Sequence, residues 1–103
     1  MADDTFRKVP PQSIDAEESV IGGILLDNTA HDRAVELIIA EDFYREAHRR
    51  IFRAMLDLSE RHEPVDLVTL ADALRSRNEL QEVGGAAYLA ELTERVPTAA
   101  NVA

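Results

Sequence analysis

Apolar residues in this sequence return at every third or fourth position and form no alternation in steps of two bounded by turn residues, a pattern that restricts the chain to helices packed on helices. The longest run places Tyr44, Ala47, Ile51, Ala54, Met55 and Leu58 along one side of a helix that continues to Arg61. No strand-like segment bounded by turn residues, no internal repeat and no low-complexity stretch competes with it. The expected fold is all-α, a compact bundle of about five to six short helices joined by loops of a few residues. With no cysteine in the chain, neither disulfides nor thiolate metal sites can hold the fold, so packing must.

Punctuation residues divide the pattern. Residues 1–12 are polar, end in Pro10-Pro11 and read as an extended or disordered arm, leaving 13–103 as a single helical head domain. Asp15 is read as the N-cap of helix one, with Glu18 three residues on, and the helix runs to about Leu26. Ala16, Val20, Ile21, Ile24 and Leu25 share its core-facing half, with Gly22 and Gly23 opposite. Each glycine costs a helix about 0.8–1 kcal/mol relative to alanine, which predicts a close approach of another backbone there. Asn28-Thr29 caps helix two, whose Ala34, Val35, Leu37, Ile38 and Ile39 form a broad apolar face. Asp42-Phe43-Tyr44 restarts the chain into helix three, which Glu63-Pro64 stops. Asp66 caps helix four, Val65 can staple onto Leu70, and Leu67, Leu70, Ala71 and Leu74 face inward. Asn78 and Gly84-Gly85 mark further breaks before helix five, defined by Tyr88, Leu89, Leu92 and Val96, after which Pro97-Thr98 opens another element.

Charge and motif content narrow the function. Twenty acids against eleven bases give a net charge of -9, which repels a phosphate backbone and argues against direct nucleic-acid binding. No signal-peptide stretch and no run of membrane-spanning length occur, which predicts a cytoplasmic protein. The only lysine, Lys8, precedes every glycine, so these residues contain no P-loop for nucleotide phosphates. His31, His48 and His62 lie on separate elements, and Asn28, Arg45 and Ser59 stand three residues before them, so neither a His-x-x-x-His nor a Glu-x-x-His metal pair exists. His48 is read as a packing or hydrogen-bonding residue rather than a general base. Glu17 and Glu18 are read as first-turn acids that favour the helix dipole. No cofactor is expected. Arg45, Arg49 and Arg53 recur every four residues, with Arg50 at the edge, as a stripe that is either paired with acids such as Glu46 and Asp57 or available to an acidic partner.

Taken in order, Pro10-Pro11-Gln12-Ser13, Ala16-Glu17, Val20-Ile21-Gly22, Glu41-Asp42-Phe43-Tyr44, His48 through Ile51-Phe52, Pro64-Val65-Asp66, Thr69-Leu70, Leu74, Gly84-Gly85-Ala86-Ala87-Tyr88-Leu89, Leu92 and Pro97-Thr98-Ala99-Ala100-Asn101 resemble the N-terminal domain of the DnaB-like family of bacterial replicative helicases. The resemblance implies an all-α head that joins an N-terminal collar of a homohexamer encircling DNA and receives a DnaG-type primase. It also implies a following helical hairpin and a RecA-like ATPase domain that binds ATP and Mg, neither of them in these residues, so that this chain is a non-enzymatic fragment, monomeric or weakly dimeric. Asp15 resembles an exposed acidic contact position of that family, and Tyr88, an apolar ring with a polar tip in the Gly-Gly-x-x-Tyr-Leu motif, is read as a second partner contact; the alternatives are a helix cap for Asp15 and a core tyrosine beside Leu92 for Tyr88. A competing reading is an independent nucleic-acid module using Arg45, Arg49 and Arg53.

Overall fold

A computed structural model describes residues 13–95. Five α-helices and one short 3-10 turn make up its regular structure, and no strand occurs among the described residues: α1 (Ser13–Leu26), α2 (Asn28–Leu37), the 3-10 turn Ala40–Asp42, α3 (Glu46–Glu60), α4 (Leu67–Ser76) and α5 (Gly85–Glu94). The all-α expectation holds. The arm over residues 1–12, Val96 and Pro97-Thr98 lie outside the described residues.

Helix α3 is the spine. Ile51, Phe52, Ala54, Met55 and Leu58 are all buried on its inner side, and it packs on α4, on the 3-10 turn and on α1. Burying side chains of this size contributes about 1.5–3 kcal/mol each, which makes this face the largest apolar contribution of any helix here. Its end is set by local geometry: the backbone N–H of Glu63 reaches back to the Leu58 carbonyl at 2.9 Å while His62 takes a left-handed conformation. The end of α4 repeats the device, with Asn78 left-handed and Glu79 N–H on the Leu74 carbonyl at 2.8 Å.

Helix α4 starts as its sequence predicts. The Asp66 carboxylate accepts the Thr69 N–H at 2.9 Å, and the Thr69 hydroxyl accepts the Asp66 N–H at 2.9 Å, a reciprocal capping box with Val65 and Leu70 both buried beside it. Ala73 takes the inward position expected of Leu67, which is at the surface. Leu80 and Val83, in the turn before α5, add to the core without belonging to a helix.

Helix α1 departs from its sequence reading. It begins at Ser13, so Asp15 is an exposed first-turn acid rather than the cap. Its inward line runs through Glu17, Ile21, Ile24 and Leu25, joined by Glu18, while Ala16 and Val20 face outward. A Cβ on Gly23 would meet nothing within 4 Å, so no backbone approaches closely at that position; Gly22 is buried. Helix α2 is capped by Asp27, whose carboxylate accepts from Thr29 N–H at 3.0 Å and Thr29 hydroxyl at 2.7 Å. Those bonds hold the carboxyl below its ordinary pKa, the hydroxyl contributing most. Its apolar face is only partly covered: Leu37 is 81% exposed and Val35 36%, while Ala30 and Ala34 pack against the core; Ile38 and Ile39, expected on this helix, lie past its end, Ile38 against the core and Ile39 58% exposed. Tyr44 stands outside α3 at the surface, because Phe43, one residue earlier, takes the core position against Phe52 with ring centroids 5.3 Å apart.

Candidate partner-binding site

The second turn of α1 and the first turn of α3 meet the middle of α5 at one corner of the head, and the side chains gathered there are polar; because α1 begins at Ser13, Glu17 and Glu18 lie past the first turn expected of them. Glu17 and Glu18 are only 7% and 5% exposed, and His48 is fully buried. Such burial is costly unless every polar atom is matched. The Glu17 carboxylate accepts the backbone N–H groups of Tyr44 at 2.5 Å and Arg45 at 3.5 Å, sitting at the N-terminal entry of α3 where no local side chain caps that helix. A carboxylate at that position also meets the positive end of the helix dipole. Its second contact is the Nδ1 of His48 at 2.7 Å. The Nε2 of His48 lies 2.7 Å from the hydroxyl of Tyr88, which donates to Glu18 at 3.0 Å. Glu18 in turn accepts from the Arg95 guanidinium at 3.2 Å, and Ser19 donates to the Arg95 carbonyl at 3.3 Å. One continuous polar chain thus ties α1, α3 and the end of α5 together.

Tyr88 and Arg95 are the members of this chain that reach the surface. Tyr88 is half-buried, its ring nearly parallel to that of His48 at a 5° interplanar angle, and the Arg45 guanidinium lies 5.9 Å from its ring centroid, within cation–π range. Burial pushes its phenol up to about 12, with the hydrogen bond to Glu18 acting in the same direction. Gly84 makes the ring's approach possible: its φ is +118°, and a Cβ there would sit 2.7 Å from that of Tyr88.

Of the residues singled out in the sequence, Tyr88 and Arg45 come together at this corner. Asp15 lies in the exposed first turn of the helix that supplies Glu17 and Glu18. Arg49 and Arg53 are committed elsewhere. Arg49 donates to the Phe43 carbonyl at 2.7 Å and pairs with Glu46 at 3.3 Å, and Arg53 pairs with Glu41 at 3.1 Å. Arg50 binds Glu46 at 3.2 Å and Glu82. The arginines hold the Glu41 and Glu46 carboxyls below the usual carboxylate range. The stripe is therefore largely neutralised by its neighbours, although Asp57 serves Arg61 and Arg77 rather than the stripe.

The sequence reading missed Glu17 and Glu18 as members of this corner. Their signal was available: Glu17 lies four residues before Ile21 and seven before Ile24, on the buried line of α1, where an acid is out of place unless it has a partner. His48 fits the hydrogen-bonding role expected of it. Among the described residues no three His, Asp or Glu side chains converge as a metal-ligating set, and no helix is long and apolar enough to cross a membrane.

The described residues form a small all-α head with an aromatic ring and an arginine side by side at one corner. The family to which it belongs is specific: residues 9–103 match the DnaB-like helicase N-terminal domain, and the chain is a member of that family. It is 54% identical over 96 residues to the replicative DNA helicase DnaB of Geobacillus stearothermophilus, covering 93% of this chain and 21% of that protein. It is 47% identical over 102 residues to the replicative DNA helicase DnaC of Bacillus subtilis strain 168, covering 99% of this chain and 22% of that one. The chain thus spans roughly a fifth of the length of these relatives. The crystal structure of the N-terminal domain of DnaB helicase from Mycobacterium tuberculosis superposes with a TM-score of 0.83 at 49% identity, over 89% of this chain and 67% of that one.

Proposed function

We propose that this chain is the head of a hexameric, ATP-dependent replicative DNA helicase of the cytoplasm, and that its own work is to bind proteins: other copies of itself in an N-terminal collar, and a DnaG-type primase. The observation that carries this reading is the corner where Tyr88, half-buried and overlain by Arg45, is fixed to the core by His48 and Glu18. An aromatic ring beside an arginine, held rigid from beneath, has the composition of an interface anchor. Asp15, exposed on the first turn of α1, is proposed as an accompanying contact. Exposed apolar residues on α1, on α2 and just past its end, including Val20, Leu37 and Ile39, supply a second surface suited to self-association. In this reading ATP, Mg and DNA unwinding belong to an ATPase domain of the whole helicase, and the head contributes no catalytic group. The ion pairs that occupy Arg49 and Arg53 count against the stripe as a nucleic-acid site.

Calorimetric titration of the whole helicase with the helicase-binding domain of a DnaG-type primase is expected to show saturable binding. Absence of binding at high micromolar concentration would overturn the primase assignment. Salt-sensitive binding of DNA by this head alone would instead favour the arginine stripe.

A further inference from the structure

The centre of the polar corner holds Glu17, His48, Tyr88 and Glu18 in a row, and the proton count of that row is constrained. The Glu17 oxygen 2.7 Å from His48 belongs to a carboxylate that already accepts backbone N–H groups, so Nδ1 must carry a proton to give it. At the other end the Tyr88 hydroxyl has a single proton and two neighbours, His48 Nε2 at 2.7 Å and Glu18 at 3.0 Å. Were that proton given to Nε2, the phenol oxygen would face a buried Glu18 oxygen with nothing between them. Protonating Glu18 instead would weaken its ion pair with Arg95, 3.2 Å away. Donating Nε2–H to the hydroxyl leaves each of these groups matched.

We propose that His48 is a positioning residue for Tyr88: it carries a proton on both ring nitrogens, gives one to Glu17 and the other to the Tyr88 oxygen, and thereby commits the hydroxyl proton to Glu18. The charges facing it agree. From α1 come Glu17 and Glu18, from α5 Arg95 with Glu91 at 3.6 Å on its far side, and from the start of α3 Arg45 over the tyrosine ring. Two buried carboxylates are then balanced by an imidazolium and one guanidinium. With its hydroxyl engaged inward, Tyr88 offers its ring and the adjoining Arg45 outward; this last clause rests on the partner-docking reading above, whereas the protonation of His48 does not.

Nitrogen-15 NMR of the histidine rings in the whole chain at neutral pH tests it, with the exposed His62 as internal reference. Both His48 nitrogens are expected to be protonated. In Tyr88→Phe, where Nε2–H loses its acceptor, His48 is expected to become a neutral ring protonated at Nδ1 alone. A singly protonated His48 in the unaltered chain overturns the assignment even if the variant fails to fold, as does a folded Tyr88→Phe in which the ring is unchanged. Failure to bind primase leaves both expected spectra as they are.

Discussion

Two buried histidines in this small head have opposite surroundings. His48, at the corner of α1, α3 and α5, has a polar partner on each ring nitrogen. His31, on α2, is 2% exposed, its Nδ1 no nearer than 3.8 Å to the exposed Asp32, and its Nε2 has no hydrogen-bond partner among the described residues. One imidazole joins three helices. The other buries a ring nitrogen that no described residue matches. Burial alone therefore says little about what a polar residue contributes; what matters is whether its loss strands other buried groups.

The difference can be measured by substitution. His48→Leu leaves the buried Glu17 carboxylate without its imidazole and the Tyr88 hydroxyl without one of its two partners, and is expected to cost about 3–5 kcal/mol in urea unfolding followed by circular dichroism, the range typical of breaking one side of a buried charged pair. Gly84→Ala strikes the same corner from the backbone, forcing a Cβ at 2.7 Å from that of Tyr88 into a left-handed position. A loss of about 2–3 kcal/mol is expected in the same assay, and a neutral result would show that α5 shifts without resistance. His31→Leu should be neutral or stabilising by about 1 kcal/mol, since it removes an unmatched nitrogen rather than a bond. A loss as large as that of His48→Leu would mean that His31 has a polar partner of its own. Smallest is Arg53→Ala, which breaks an exposed pair with Glu41 and should change stability by less than about 0.5 kcal/mol.

How much of this was legible in the sequence follows from how local each signal is. Helix α3 and the start of α4 were readable because their determinants lie within a few residues: a long apolar period, Pro64 after the helix, Asp66 three before Thr69. The capping of α2 by Asp27 instead of Asn28-Thr29, and the exchange of Phe43 for Tyr44 in the core, are errors of one residue that periodicity cannot resolve. The uncovered part of the α2 face was illegible for another reason. An apolar stripe shows which side of a helix wants covering, not whether this chain covers it. The corner itself depends on pairings across long separations, 31 residues from Glu17 to His48 and 70 from Glu18 to Tyr88, so no local window contains it. Only the misplaced acids on the buried line of α1 pointed toward it.

Docking of a partner at the corner with Tyr88 and Arg45, and not on the arginine stripe, is the central proposal. Primase-domain affinity of the whole helicase carrying Tyr88→Ala, Arg45→Ala or Arg53→Ala tests this directly, with the helicity of each variant checked alongside. Tyr88→Ala is expected to weaken binding by about tenfold or more, as loss of an interface anchor does. Arg45→Ala should weaken it less, and Arg53→Ala should leave it unchanged. Full affinity in Tyr88→Ala together with a loss in Arg53→Ala would contradict the claim.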